Sequence, residues 1–559
     1  MKAVRLLCFV SSVAFCSVAS AAPAVRGFAA TVHPLATGAA LSAMQRGGNA
    51  VDAIVAAGLT LSVVDSHNSG IGGGCFIVIR RADGSLVSID GRETAPAAAT
   101  RDMFLRNGKA APELSQTGAL ASGVPGEVAA FHHAVSKFGK LAWREHCLAA
   151  ARIAQEGFVV DKTYAARLAG VSKELNAFPS TKAVFLHADG SPFHAGAILR
   201  QPDLAATLRS LGENGPDWFY RGPFARSAAE WMKANGGLLT EADFRGYQFK
   251  LREPLRTTYR GHEIIGFPPP SSGGLHVAQI LNILEHFDLK ATGANTADFV
   301  HVVTEAMKLA FADRAHWLGD PDFAAVPRGL ASRDYAATLA RKIDLKKAAA
   351  VPRHNTPPNA TSDVFGKHTT HFSAADADGN WVACTATINT SYGSKVVVPG
   401  TGVVLNNQMD DFSAQPGVAN YFGLVGAEAN AVAPGKRPLS SMSPTVVLKD
   451  GKPILSVGAA GGPTIITQTL LAIIHTVDFG RSPSAALAQP RFHHQWSPDE
   501  VRIEKSLATL VGAELRRRGH RLKEVDALGA CQAVGRDVDG TGFTGAHDPR
   551  IPNGKAAGW

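Results

Sequence analysis

Apolar residues run almost unbroken from Ala50 to Val64, a length and density that predict a buried helix rather than an amphipathic one. A shorter helix is expected over Thr37 to Gln45, with Gly47-Gly48-Asn49 as the break between them. The apolar run ends at Asp65-Ser66-His67-Asn68-Ser69-Gly70, and Gly72-Gly73-Gly74 then leads into a strand over Cys75 to Arg80. These glycines precede a strand and not a helix N-terminus, so close backbone packing is expected of them rather than a phosphate cradle. From Thr100 to Asp363 the pattern is helix-rich and punctuated by turns at Ser122 to Gly126 and Pro268 to Gly274. Ala297 to Leu318 carries apolar residues at helical spacing, and Ala349 to Asp363, rich in Pro, Asn and Thr, reads as an exposed linker that becomes a flexible tail on cleavage after it. Beyond Thr369 the period changes to that of strands. Thr369 to Ser373 and Trp381 to Asn389 flank the turn Asp376 to Asn380, and further strands are expected over Gly402 to Leu405 and Thr445 to Leu448. Gly458 to Pro463 leaves a strand and enters a helix near Thr464.

The 559 residues exceed one small core, and 45% hydrophobic with 18% charged residues is a globular composition that excludes a disordered chain. Lys2 and Arg5 ahead of the apolar run Leu6 to Val18, with Ala19-Ser20-Ala21 behind it, read as a secretory leader over residues 1–21. Phe15 argues against a lipid anchor at Cys16. No later run reaches the roughly 18 apolar residues of a membrane span, so the mature protein is expected to be exported, to a bacterial periplasm or the medium. The net charge of +9 comes from scattered basic residues without aromatic interleaving, which excludes a nucleic-acid footprint and suits small anionic substrates. Cys75, Cys147, Cys384 and Cys531 lack metal spacing; a disulfide is permitted among them, not demanded. The pairs His132-His133 and His493-His494 point apart on helix or strand and have no third ligand in range, so no metal is expected.

Candidate chemistry concentrates downstream of the linker. Thr369 reads either as an ordinary strand threonine or as a hidden N-terminus, whose α-amine, freed by cutting the bond to His368, serves the hydroxyl as general base. With the turn centred on Asp378, Ser373 faces Ala383, His371 faces Thr385 and Thr369 faces Thr387, which gives the threonine a partner hydroxyl. Asn406 to Phe412 crowds amides and carboxylates; adjacent Asp410 and Asp411 fit a solvated turn, or a site in which one of them meets a cation such as a substrate ammonium. Lys436 to Pro444 is a hydroxyl-rich loop. The turn at Gly461-Gly462 is either a plain connection or a pair of N–H groups for a developing oxyanion.

Taken together, Thr369-Thr370-His371-Phe372-Ser373, Asn389-Thr390-Ser391-Tyr392-Gly393, Asn406 to Phe412, Arg437 to Pro444 and Gly461-Gly462 resemble the γ-glutamyltranspeptidases, glutathione hydrolases of the N-terminal-nucleophile hydrolase superfamily. Gly47 to Ala53, Gly70 to Gly74, Arg92 to Pro96 and Gly123 to Gly126 agree in the first half, so the resemblance runs in order from about His33 to the C-terminus. It implies an α+β fold, a four-layer αββα sandwich built jointly by a large subunit, 22–368, and a small catalytic subunit, 369–559, that form a heterodimer after self-cleavage. It implies Thr369 as nucleophile with Thr387 bonded to it, Gly461 and Gly462 as the oxyanion hole, and no metal or organic cofactor. Arg92, Ser440 and Ser441 are implied for the substrate α-carboxylate, and Asn389, Gln408 and Asp411 for its α-ammonium. Glutathione and other γ-glutamyl compounds are then donors, with water, amino acids or peptides as acceptors. Bacterial relatives carry a lid tyrosine where this chain has Phe422, which removes a hydroxyl that adjacent Tyr421 is placed to replace. Two other readings are a same-fold acylase acting on β-lactam side chains and an exported, non-catalytic amino-acid-binding protein.

Overall fold

The computed structural model describes residues 25–360, 362–365, 372–537, 540 and 542–559, with Phe372 described by its backbone alone. The leader, the cleavage site at His368 and Thr369, and the segment through His371 lie outside the described residues.

Two antiparallel sheets form the centre. In chain order their strands are β1 (Gly27–Thr31), β2 (Gly74–Arg80), β3 (Leu86–Gly91), β4 (Lys250–Leu251), β5 (Leu255–Tyr259), β6 (His262–Gly266), β7 (Phe372–Asp376), β8 (Trp381–Thr387), β9 (Thr445–Lys449), β10 (Lys452–Ala460), β11 (Ala530–Arg536), β12 (Phe543–His547) and β13 (Lys555–Gly558). Among the described residues, one sheet has seven strands in the order β13-β1-β7-β8-β2-β3-β4, and the other has six in the order β12-β11-β10-β9-β6-β5. They lie face to face, with β8 and β7 against β10 and β1 against β11 and β12. Helices α1 (Pro34–Gln45), α2 (Ala50–Val64) and α3 (Glu127–Phe138) cover the first sheet, with α4 (Trp143–Glu156) packed on α2, and α5 (Gly273–Leu284) and α7 (Thr464–Val477) cover the second, with α6 (Ala297–Trp317) packed on α5. This is the expected αββα sandwich, in which each sheet buries one face on its helices and the other on its neighbour.

Local sequence explains the elements that frame the site. All residues of α2 are buried. Its start is fixed by Asn49, whose Oδ1 accepts from Val51 N at 2.9 Å and Asp52 N at 3.2 Å, while Asp52 Oδ2 accepts from Asn49 N at 2.8 Å. Helix α1 begins earlier than expected because Pro34 tolerates the first turn and His33 Nδ1 accepts from Leu35 N at 3.2 Å. The glycines before β2 pack as expected: a Cβ at Gly72 would stand 2.0 Å from Val404 O, and one at Gly73 2.1 Å from Thr387 O.

The hairpin register agrees over its described residues, with Phe372 opposite Cys384, Ala374 opposite Val382 and Ala375 opposite Trp381. Strand β8 stops at Thr387 and not Asn389, because Asn389 is left-handed (φ 80°) and its N–H donates to Thr387 Oγ1 at 2.8 Å. One expectation fails. Gly402 to Leu405 joins neither sheet; it folds back on Ser394 to Val398 through Ser394 N to Leu405 O and Leu405 N to Val396 O, both 2.9 Å, and Val398 N to Val403 O at 3.0 Å. The Ala349 to Asp363 segment is mostly exposed, as expected, and in the uncut chain its described part is fastened by hydrogen bonds. Ala349 N donates to Glu305 Oε2 at 2.9 Å, Asn355 N to Asp313 Oδ1 at 2.7 Å and Trp317 Nε1 to Asn355 O at 2.9 Å, so polar side chains of α6 hold it.

Candidate active site

Arg92 leaves β3 fully buried, and its guanidinium is used on three sides. Nη2 meets Asp411 Oδ2 at 2.6 Å and Leu439 O at 3.3 Å, and Nε donates to Pro438 O at 3.1 Å. The charged pair therefore spans two chain segments, and it also pins the hydroxyl loop at Leu439. Gln408, on the same short 3-10 turn as Asp411, donates through Nε2 to Asp411 Oδ2 at 3.0 Å. Burial pushes the Asp411 carboxyl above its ordinary range, while Arg92 first, then Arg314 and Gln408, draw it back. Asp410 faces the other way, accepting from Ser115 Oγ at 2.6 Å and Tyr421 N at 3.0 Å. Of the two adjacent acids, one makes the ion pair and the other anchors the loop at Tyr421.

Ser440 is set by parallel bridging to Ser271, with its N–H donating to Pro270 O at 2.9 Å. Its Oγ accepts from Met442 N at 3.1 Å, and Ser441 Oγ accepts from Arg314 Nη2 at 3.1 Å, which leaves each hydroxyl proton free to point elsewhere. Asn389 is held by Nδ2 donating to Asn407 O at 2.9 Å. Between β10 and α7, Gly461 and Gly462 take φ of 131° and 59°. Among the described residues nothing accepts from their N–H groups, which lie just ahead of the positive end of a 14-residue helix. The Phe422 ring lies on this turn, since a Cβ at Gly462 would come within 2.5 Å of its Cδ1. Gln495 Nε2 holds the loop that carries Phe422 by donating to Gly423 O at 2.9 Å, and Tyr421 stands edge-on to Phe422 at 5.2 Å, 57% exposed.

Arg92, Thr387, Asn389, Gln408, Asp411, Tyr421, Phe422, Ser440, Ser441, Gly461 and Gly462 line one cavity of about 600 Å³. Every sequence-selected site residue within the described part of the chain is thus brought to one place; Thr369 and His368 fall outside it. The cavity can take a zwitterion, since its lining holds both basic and acidic side chains, Arg92 and Asp411 among them, together with two unclaimed amide N–H groups. The Gamma-glutamyltranspeptidase profile matches residues 36–559.

The chain belongs to the γ-glutamyltranspeptidase family.

A glutathione hydrolase proenzyme of Escherichia coli strain K12 is 44% identical over 539 residues, spanning 96% of this chain and 92% of the relative. Among solved structures, a cephalosporin acylase from Bacillus halodurans aligns with a TM-score of 0.84 at 29% identity over 99% of both chains. The γ-glutamyltranspeptidase of Helicobacter pylori aligns with a TM-score of 0.58 at 37% identity, over 60% of this chain and 96% of that one. The protein is accordingly an enzyme of the γ-glutamyltranspeptidase and glutathione hydrolase class, on the N-terminal-nucleophile hydrolase fold.

In this γ-glutamyltranspeptidase, Arg314 of α6 also lines the cavity, and sequence reasoning missed it. Within an apolar helical pattern, Asp313-Arg314 reads as a solvated pair; nothing local shows that the two side chains diverge into different buried sites. Glu93, beside Arg92, was passed over too. Burial pushes its carboxyl up to about 8, and that of Glu127 rises well above the carboxylate range, so neither competes as an anion for Arg92 near neutral pH. Arg92 Nη1 is 3.8 Å from Glu93 Oε2, against 2.6 Å from Nη2 to Asp411. The four cysteines of the described chain are free and buried. His301, Glu305 and His520 converge closely enough to face one ion. They are already satisfied without it: His301 and His520 bond each other at 2.7 Å, and Glu305 takes Lys308 Nζ at 3.0 Å and Ala349 N.

Proposed function

We propose that Thr369 is the nucleophile, exposed when the chain cuts itself between His368 and Thr369 into pieces 22–368 and 369–559. The freed α-amine accepts the proton as Thr369 Oγ attacks the γ-carbonyl of glutathione or another γ-glutamyl compound. The carbonyl oxygen takes up negative charge facing the Gly461 and Gly462 N–H groups, an interaction typically worth a few kcal/mol of barrier. Collapse breaks the amide bond; the protonated α-amine returns its proton to the leaving amine, and a γ-glutamyl ester on Thr369 remains. Water, or the amine of an amino acid or peptide, then attacks this ester with the same amine taking its proton, and the product leaves as Thr369 Oγ is reprotonated. The steps so written use groups of the chain, the γ-glutamyl donor and the acceptor, water included.

The reading rests foremost on the Arg92–Asp411 pair with Ser440 and Ser441, which matches a free amino-acid end, in the same cavity as the two unclaimed glycine N–H groups. Arg92, Ser440 and Ser441 are assigned to the α-carboxylate, and Asn389, Gln408 and Asp411 to the α-ammonium. Thr387, the expected partner of Thr369, lines that cavity, and the register that pairs them holds over the described hairpin. The E. coli relative carries the name of a proenzyme, which supports a precursor that is processed. We assign the protein to the bacterial periplasm or the medium from its leader, and the two pieces to one heterodimer.

Thr369→Ala is expected to give one uncut band on a denaturing gel and no activity, whereas the wild type gives two bands, the smaller beginning at Thr369. Two bands from the variant overturn the assignment. The likeness to a cephalosporin acylase favours a second reading, amide hydrolysis without an α-amino requirement. Faster cleavage of glutaryl-p-nitroanilide than of γ-glutamyl-p-nitroanilide selects it; the reverse order is expected.

A further inference from the structure

The ion pair that recognises the substrate is electrically complete before any substrate arrives. Arg92 already faces Asp411 at 2.6 Å, and burial keeps Glu93 protonated beside it. A third charge stands at the same place. Arg314 is 4% exposed on α6, lines the cavity, and has no carboxylate within 4 Å among the described residues. Its sequence neighbour Asp313 turns away, accepting from Gln279 Nε2, Tyr335 OH and Asn355 N, each at 2.7 Å. The acid whose field reaches Arg314 is Asp411, and burial lowers the guanidinium to about 10, as expected of a cation held without a counterion.

Arg314 spends its hydrogen bonds on hydroxyls. Nε donates to Ser272 Oγ at 2.9 Å and Nη2 to Ser441 Oγ at 3.1 Å. Ser272 Oγ in turn donates to Ser440 O at 2.7 Å, so Arg314 braces both serines of the loop that Arg92 holds from the other side. Because Ser441 Oγ accepts from a guanidinium, its own proton is left to donate, and the hydroxyl is polarised toward donation.

We propose that Arg314 is the uncompensated cation of the site: a specificity-determining and positioning residue that presents Ser441 as a donor and supplies the positive charge that selects substrates with an α-carboxylate. This rests on the γ-glutamyl reading above. Arg92 and Asp411 form a neutral pair, and the added charge comes from across the hydroxyl loop. A buried charge with no acid beside it persists where a ligand's opposite charge completes it.

The test uses processed wild-type enzyme, Arg314→Gln and Arg314→Lys, each checked for two bands and an unchanged melting transition. Three anilides are compared: γ-glutamyl-p-nitroanilide, glutaryl-p-nitroanilide (carboxylate, no amine) and 4-aminobutyryl-p-nitroanilide (amine, no carboxylate). Arg314→Gln is expected to lower kcat/KM about 10- to 100-fold for the two carboxylate-bearing anilides, mainly through KM, and to change the third by less than about threefold. Arg314→Lys, keeping the charge, is expected to recover part of the loss. In a Ser441→Ala background the Arg314→Gln loss should shrink, because the two act in series. Equal losses on all three anilides, or no loss on any, overturn the proposal while the γ-glutamyl reading stands. A wild type indifferent to the α-carboxylate overturns both.

Discussion

At the scale of single residues, the site depends on which groups are allowed to carry charge. Glu93 and Glu127 are buried side by side, and none of their four carboxyl oxygens finds a hydrogen-bond partner among the described residues. In the unfolded chain such a carboxyl ionises near 4.5, whereas native Glu93 keeps its proton to about 8. Its contribution to stability is therefore complete below about 4.5 and is lost as pH rises through about 8, because the unfolded state releases a proton that the native state retains. The thermal midpoint is expected to fall between pH 5 and pH 8.5, and Glu93→Gln/Glu127→Gln to flatten that fall by an amount on the order of a few kcal/mol. A double variant that keeps the wild-type slope would place its origin elsewhere. The same logic explains why Arg92 and Asp411 could be named from sequence but not as each other's partner. Their motifs lie 319 positions apart, and only the fold brings them to 2.6 Å.

At the scale of elements, the pattern of the chain was legible where local chemistry decides and illegible where it does not. Helix α2 has its cap, its apolar run and its break written in consecutive residues. Asn49→Ala is expected to cost about 1 kcal/mol or somewhat more, since Asn49 Nδ2 also donates to Phe138 O at 2.6 Å; chemical denaturation measures it, and a cost near zero would sink the cap as a stabilising feature. The β7–β8 register could be read from the turn because a two-fold side-chain period admits no half-step. Gly402 to Leu405 misled for the opposite reason. Its apolar residues signal burial, which a folded-back loop satisfies as well as a strand does, and the partners that settle it lie in Ser394 to Val398. The linker after α6 read correctly as exposed; its fastening depends on Glu305 and Asp313, acids of a helix that it does not adjoin in sequence. Arg314 shows the limit most clearly, since its partner Ser441 is 127 positions away and its helix looks the same with or without it.

At the scale of the whole molecule, both sheets draw strands from either side of the proposed cut. The seven-stranded sheet takes β1 to β4 from before it and β7, β8 and β13 from after it; the six-stranded sheet takes β5 and β6 from before and β9 to β12 from after. A cut there would leave every pairing among the described residues in place. Gel filtration of processed protein under native conditions is expected to give a single species with both pieces, while a denaturing gel gives two; separate native elution of either piece would contradict this interleaving.

The same interleaving sets an order in time. Strand β1 pairs along one edge with β7 and along the other with β13, so Ala29 lies between Ala374 and Ala557. A ribosome has delivered β1 long before either neighbour exists, and β1 must wait, unpaired and apolar, for most of synthesis. The sheet that presents Thr387 can pair β1 with β7 only after β7 emerges, and the edge strand β13 completes it last. The proposed cut, and the activity proposed to follow from it, are therefore expected only late in translation, once β7 and β8 have been made and can pair.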